Sequence, residues 1–221
     1  MPGERHCPLC GAADTHFYYE EARRPYYCCG CCSLVFVPGR YYLDREAEKA
    51  EYDLHRNEVD DPGYRAFLSR LSIPLLERLP AGARGLDFGC GPGPALAAML
   101  EEAGHELSLY DSFYHPDASV LQGAYSFICA TEVVEHLHAP GRELQRLWSL
   151  LAPGGWLGVM TKLVRDREAF AGWHYKNDAT HVCFFSRTTW RWWAAQQNAR
   201  IEFVGADVIL LQKRVDATNT A

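Results

Sequence analysis

At 221 residues the chain exceeds one average domain, and its 48% hydrophobic and 23% charged residues are the balance of a globular protein, which excludes disorder as the default. A net charge of −6 without any block of like charge argues against broad, charge-driven binding to nucleic acid or to an anionic membrane. The opening MPGERHCPLCGAAD has no apolar core of a signal peptide, and no window approaches the roughly 18 apolar residues of a membrane span, so a cytoplasmic protein with no membrane partner is expected.

The first element, residues 1–40, is rich in cysteine. Cys7 and Cys10 form a C-x2-C pair closed by Gly11, and Cys28, Cys29, Cys31 and Cys32 offer a second pair 17 or 18 residues on. Clustered pairs in a chain with no export signal favour a metal over disulfides, and this spacing is that of a zinc ribbon. Four thiolates fill a tetrahedral zinc and leave no position for substrate, so the site is expected to be structural, replacing a core too short to stand alone. Spacing leaves two registers open, Cys28 with Cys31 or Cys29 with Cys32. The segment CCSLVFV resembles ribbons of the form C-x2-C-G-L-V-F, with Ser33 in the glycine's place. That resemblance favours Cys29 and Cys32.

Residues 41–80 read as a helical connector broken at Asp61-Pro62-Gly63, which is turn chemistry. Beyond the break, Phe67, Leu68, Leu71, Leu75 and Leu79 recur at helical spacing and are expected to pack on the next domain. Tyr52, His55, Asn57 and Tyr64 lie near the break and read either as a solvated helix end or as a cap over a pocket.

The segment RGLDFGCGPGPALAAMLEEAGHELSLYD begins the core, 81–221. A short strand ending at Phe88 runs into Gly89, Gly91 and Gly93, then into a helix from near Pro94 to Gly104, then a second strand ending at Asp111. A carboxylate at that distance beyond a glycine loop suits ribose hydroxyls. The G-x-G-x-x-G dinucleotide fingerprint fails in both frames, landing on Pro94 or Leu96, and no G-x4-G-K-[ST] loop for a nucleoside triphosphate occurs. What remains is D-x-G-x-G-x-G from Asp87, a pattern suited to a nucleoside with a cationic end. Further on, Leu144, Leu147, Trp148 and Leu151 form a helical face that Pro153-Gly154-Gly155 is expected to end. Trp190 and Trp193 read as the buried face of a later helix, and Cys90 and Cys129 as packing residues. Strand alternating with helix implies an α/β fold, a parallel doubly wound sheet.

The glycine segment resembles motif I of class I S-adenosylmethionine-dependent methyltransferases, and the resemblance covers most of the chain from Gly85 onward. YSFICATEVVEHL looks like that family's fourth strand and the turn after it, and LLAPGGWLGVM like its L-x-P-G-G turn and fifth strand. It implies a Rossmann-like fold with S-adenosylmethionine as cofactor: Asp87, Gly89, Gly91 and Gly93 shape the loop, Asp111 holds the ribose, and Thr131 and Glu132 lie against the methionine side. A departure is the dozen or so residues between Asp111 and the next strand, where the family fits another helix and strand.

A base is needed only if the acceptor loses a proton, and histidine is the usual one. His136 follows the fourth strand and His181 lies in WHYKNDATHVCFFS. The layout of zinc ribbon, connector and core is similar to that of sugar C-methyltransferases, whose E-H-F-x-F-S-like stretch THVCFFS matches loosely. Thr180 stands where that family has an acid, so Asp178 is the expected carboxylate. The strand DVILLQK reads as the last of the core, so the further C-terminal domain of those enzymes is not expected. The leading expectation is methyl transfer to a small-molecule acceptor. The rivals are an RNA-modifying enzyme whose ribbon grips RNA through Arg23, Arg24 and Arg40, a thin basic set, and a non-catalytic cofactor-binding protein.

Overall fold

The computed structural model describes residues 6–22, 24–54 and 58–215; Arg23, His55 and Asn57, named above, lie outside the described residues. Two sheets organise the chain. The N-terminal sheet holds β1 (Thr15–Glu21), β2 (Arg24–Cys29) and β3 (Val35–Phe36), all antiparallel. Next come α1 (Arg45–Tyr52) and α2 (Pro62–Leu76), capped by Asp44 and Asp61, whose carboxylates accept backbone amides of the first turn. The Asp61-Pro62-Gly63 break is therefore a helix start, with Pro62 in the first turn.

The core contains β4 (Arg84–Phe88), α3 (Ala95–Glu102), β5 (Glu106–Tyr110), β6 (Tyr125–Thr131), α4 (Pro140–Leu150), β7 (Leu151–Met160), α5 (Arg167–Ala171), β8 (Cys183–Phe184), α6 (Arg187–Gln196), β9 (Arg200–Val204) and β10 (Val208–Gln212). Six of these strands form one sheet in the order β5-β4-β6-β7-β10-β9. The first four are parallel, and β10 runs antiparallel to both neighbours. With only a bridge at Asp111–His115 and a short 3-10 turn between β5 and β6, β5 is left as the edge strand.

Strand alternation divides the core into two layers. Phe127 and Cys129 of β6 and Val208 and Leu210 of β10 face Leu68, Leu71 and Leu75 of α2 and Leu96 and Leu100 of α3. Full burial of each such leucine contributes about 1.5–3 kcal/mol, and this holds the connector on the sheet. Ile128, Ala130, Ile209 and Leu211 face the other way, toward Leu144, Leu147 and Trp148 of α4 and Trp190 and Trp193 of α6. One boundary differs from expectation: α4 ends at Leu150, not at Pro153-Gly154-Gly155. That triplet instead bulges from β7, where Tyr125 pairs with Leu151 but Phe127 with Trp156, because Leu151 has already left helical geometry and Gly154 takes φ 82°.

The N-terminal sheet is completed by a strand of the core. β8 pairs antiparallel with β3, Val35 opposite Phe184 and Phe36 opposite Cys183, giving the order β1-β2-β3-β8. Cys7, Cys29, Cys32 and Leu34 to Val37 lie in the same buried cluster as Val134, Leu144 and Trp148. The first knuckle also sits hard on α4: a Cβ on Gly141 would come within 2.2 Å of the Leu9 carbonyl oxygen. Among the described residues, no helix is long and apolar enough to cross a membrane.

Candidate active site

At the carboxyl ends of β4, β5 and β6 lies a chamber of about 830 Å3, within the range of small-ligand sites. The glycine loop forms one wall. Gly89 takes φ 76°, its amide donates to the Tyr110 carbonyl at 2.7 Å, and a Cβ there would meet Val133 at 2.4 Å. Gly91 takes φ 66° with open space where a Cβ would stand, and its amide donates to Asp111 Oδ2 at 3.2 Å. Both backbone shapes favour glycine, and the second leaves the loop's backbone bare toward the chamber. Asp111 Oδ1 accepts the amides of Phe113 at 2.8 Å and Tyr114 at 3.1 Å, so the carboxylate is fixed at the chamber edge. Gly93 stands at the start of α3 and does not line the chamber.

Asp87 lies beneath the loop, 2% exposed, with Oδ1 buried and without a hydrogen-bond partner. Burial, then the nearby Asp111 charge, push its carboxyl up to about 7, against the opposing Ala97 amide. Thr131 and Glu132 line the wall after β6. Glu132 takes φ 51°, which for a non-glycine residue is local strain, and its Oε1 is buried without a partner. A bare glycine backbone, a fixed carboxylate at the strand end and orphaned buried acid oxygens suit a nucleoside with a cationic amino-acid end. S-adenosylmethionine has that chemistry.

The far wall carries the predicted catalytic residues, and the structure brings them together. The His136 and His181 rings meet edge to face at 4.6 Å between centroids, and Tyr52 of α1 closes on His136 at 5.3 Å. His181 Nε2 lies 3.7 Å from Asp178 Oδ2, and its Nδ1 is 2.6 Å from the Tyr175 carbonyl oxygen. Burial lowers the His181 pKa, with Asp178 opposing. Burial works against ionised Asp178, but bonds from the Thr180 hydroxyl and amide, with His181 beside it, hold its carboxyl below the ordinary range. Thr180 thus anchors the acid rather than replacing it.

Two residues here, Glu135 and Tyr175, carried no signal in the reading of the sequence, and a third, Arg24, was read for another role. Glu135 is fully buried, and its Oε1 accepts from the Tyr175 hydroxyl, which also reaches Glu132 Oε2 at 3.3 Å. Arg24 of β2 donates to the Asp178 carbonyl at 2.9 Å and to the His181 carbonyl. It is therefore an internal anchor and not an exposed member of a basic set. Arg40 remains at the surface, 4.8 Å from the centroid of the Tyr41 ring.

Away from the chamber, the sulfurs of Cys7, Cys10, Cys29 and Cys32 all lie within 4.8 Å of one another, with Cys7–Cys32 at 3.4 Å and Cys10–Cys29 at 3.5 Å. A tetrahedral zinc with bonds of about 2.3 Å separates its sulfurs by about 3.8 Å, so the arrangement suits that ion. Gly11 at φ 75° and Ser33 at φ 60° turn the two knuckles, Ser33 adopting the shape its glycine counterpart would take. Cys28 points its sulfur at the Cys29 carbonyl, Cys31 is exposed, Cys129 is buried in the core, and Cys90, also buried, lies in the chamber wall.

A largely parallel sheet with an acid-flanked glycine loop at the carboxyl ends of its parallel strands is a Rossmann-like frame for a nucleoside cofactor. The family model described as a methyltransferase domain matches residues 54–202, more than half of the chain. The chain belongs to that family, and it is an S-adenosylmethionine-dependent methyltransferase. Among solved structures it is similar to the 1,6-didemethyltoxoflavin-N1-methyltransferase of Burkholderia thailandensis, which holds 1,6-didemethyltoxoflavin and S-adenosylhomocysteine, at TM-score 0.51 and 17% identity over 90% of this chain and 100% of that one. A Pyrococcus horikoshii protein is similar at TM-score 0.50 and 15% identity, over 75% and 99% of the two chains. No curated protein matches the chain.

Proposed function

We propose that the chamber takes S-adenosylmethionine on the loop of Asp87, Gly89, Gly91 and Gly93, with Asp111 on the ribose and Thr131 and Glu132 along the methionine, and a small-molecule acceptor between that loop and His136, His181 and Asp178. Bound there, the cofactor supplies an electrophilic methyl group on a sulfonium. The protein contributes chiefly position, since an in-line displacement gains most from a near-attack geometry, and the wall of His136, His181 and Asp178 handles any proton the acceptor sheds. The observation carrying this reading is the chamber itself, which has the Asp111 loop on one wall and the His136–His181 pair on another, with Tyr52 and Tyr64 of the connector closing it.

Residues 1–40 serve as a zinc ribbon held by Cys7, Cys10, Cys29 and Cys32, 41–80 as the cap and 81–221 as the transfer domain. The layout resembles that of sugar C-methyltransferases, and the Burkholderia enzyme of like fold takes a small acceptor. Arg24, spent on internal carbonyls, weakens the case for RNA gripped by the ribbon.

Incubation with a methyl-tritiated donor and a cell extract fractionated by size is expected to place label in the low-mass fraction; label confined to RNA or protein would overturn the acceptor class. Asp111→Ala removes a carboxylate that accepts two ribose hydroxyls. It is expected to weaken S-adenosylhomocysteine binding in calorimetry by about 3 kcal/mol, roughly a hundredfold, and unchanged binding would remove Asp111 from the site.

A further inference from the structure

One group of side chains in the far wall has the geometry of metal ligands. The ligand atoms of Glu135, His136 and His181 all lie within 4.8 Å of one another. They converge through the backbone: Glu135 and His136 end the turn after β6, and the Val182 amide donates to the Glu135 carbonyl at 2.8 Å, which carries His181 to them.

The protonation pattern follows from the hydrogen bonds. His181 Nδ1 faces the Tyr175 carbonyl at 2.6 Å; a carbonyl only accepts, so this nitrogen carries a proton, and in the neutral ring it is Nε2 that presents the lone pair. An imidazole oriented by its second nitrogen on a carbonyl is the usual arrangement of a metal-bound histidine. Glu135 is more telling. Its Oε1 accepts from the Tyr175 hydroxyl, whereas Oε2 is buried without a hydrogen-bond partner, in a residue with no exposed surface. A buried carboxylate oxygen with nothing to bind is costly, and a cation beside the two rings would satisfy it.

We propose that Glu135, His136 and His181 hold a divalent first-row transition-metal ion at the acceptor end of the chamber, where it binds an oxygen of the acceptor. The inference rests on the reading that the acceptor lies against these histidines, and it names what they do there. Two imidazoles and one carboxylate suit manganese, iron, cobalt or zinc better than magnesium or calcium, which prefer all-oxygen sites. Three protein ligands leave positions for a substrate oxygen, whose hydroxyl becomes more acidic on the metal. The O–H proton passes to Asp178 and on to solvent, the oxygen's pair forms the O–CH3 bond, and the C–S bonding pair stays with the departing thioether.

The test uses the full chain carrying one equivalent of zinc, enough for the four cysteines alone, titrated with MnCl2, with free Mn2+ followed by electron paramagnetic resonance. One Mn2+ per chain is expected to bind in addition to the zinc, at least tenfold more weakly in His136→Ala and His181→Ala and unchanged in Cys31→Ser. Calorimetry with S-adenosylhomocysteine reports whether each variant is folded; should His181→Ala fail, the half-buried His136 carries the test alone. No Mn2+ binding by the unaltered chain, or unaltered affinity in folded His136→Ala, overturns the proposal. Labelling of a low-mass acceptor that survives chelation would sink the metal and keep the small-molecule reading. Mn2+ binding without any low-mass label would do the reverse.

Discussion

Cys32→Ser is expected to abolish stoichiometric zinc and to destabilise more than the ribbon, whereas Cys31→Ser and Cys28→Ser leave both zinc content and stability within error. Cys32 has no exposed surface, and its sulfur lies among those of Cys7, Cys10 and Cys29, whereas Cys31 is exposed and Cys28 turns its sulfur to a carbonyl. Structural zinc contributes apparent free energies of about 10–16 kcal/mol in small zinc-finger peptides, so losing one of four thiolates is expected to cost at least about 3–5 kcal/mol. The effect should spread because β3 pairs with β8, the Val37 amide donates to the Val182 carbonyl at 2.9 Å, and Arg24 holds the carbonyls of Asp178 and His181. Metal analysis, thermal unfolding and amide exchange check this together. Protection should fall at Val37 and also at the Phe184 and Val182 amides of the core. Loss of zinc with unchanged protection at Val182 would show a ribbon energetically separate from the active site.

The contrast between what the sequence displays and what it hides has a physical basis. The glycine loop was legible because a tight turn, an open backbone and a strand-end carboxylate demand fixed residue types at fixed short spacing, and Gly89, Gly91 and Asp111 meet them within one β-α-β unit. The leucines of α2 were legible for a similar reason, since helical period alone puts Leu68, Leu71 and Leu75 on one face. The histidine wall of the chamber was legible only in part. His136 and His181 stood out as residue types, but the contacts that define their surroundings come from far along the chain. Arg24 reaches Asp178 across 154 positions and Tyr175 reaches Glu135 across 40, and such pairings leave no periodicity to read. The completion of the ribbon sheet by β8 was hidden for the same reason, because a strand of two residues has no alternation to display. Of the two cysteine registers, spacing allowed both; burial separates them, since Cys29 and Cys32 face inward with the core while Cys31 faces out.

Asp87→Asn is expected to make the cofactor-free protein more stable at pH 8 and to leave it nearly unchanged below about pH 4. The carboxyl is buried under the glycine loop with one oxygen unpartnered, and Asp111 just past β5, Cys90 on the loop, Cys129 across the strand pair and Tyr64 on α2 are the titratable groups that face it. Of these, Asp111 is the one whose carboxylate disfavours a second negative charge at Asp87. Burial first and Asp111 second raise the folded pKa to about 7, above the ordinary 3.8. Between those two values the folded state holds a proton that the unfolded chain has lost. Stability from this group is therefore fully present below about pH 4 and is lost as pH rises through 7, a total of about 4 kcal/mol at 1.36 kcal/mol per pKa unit. Asparagine keeps the shape and cannot ionise, so denaturant unfolding of the two proteins from pH 5.5 to 8.5 should diverge by about 2 kcal/mol or more, the unaltered chain falling away. Parallel curves would mean that Asp87 is ionised throughout and is paired in solution. On the proposed cofactor placement the linkage reverses with ligand, because a cationic group over the loop favours the ionised acid. S-adenosylmethionine should then bind more tightly at pH 8 than at pH 6, and Asp87→Asn should lose that dependence together with affinity. The buried acid weakens the empty protein at neutral pH, and the bound cofactor relieves that penalty.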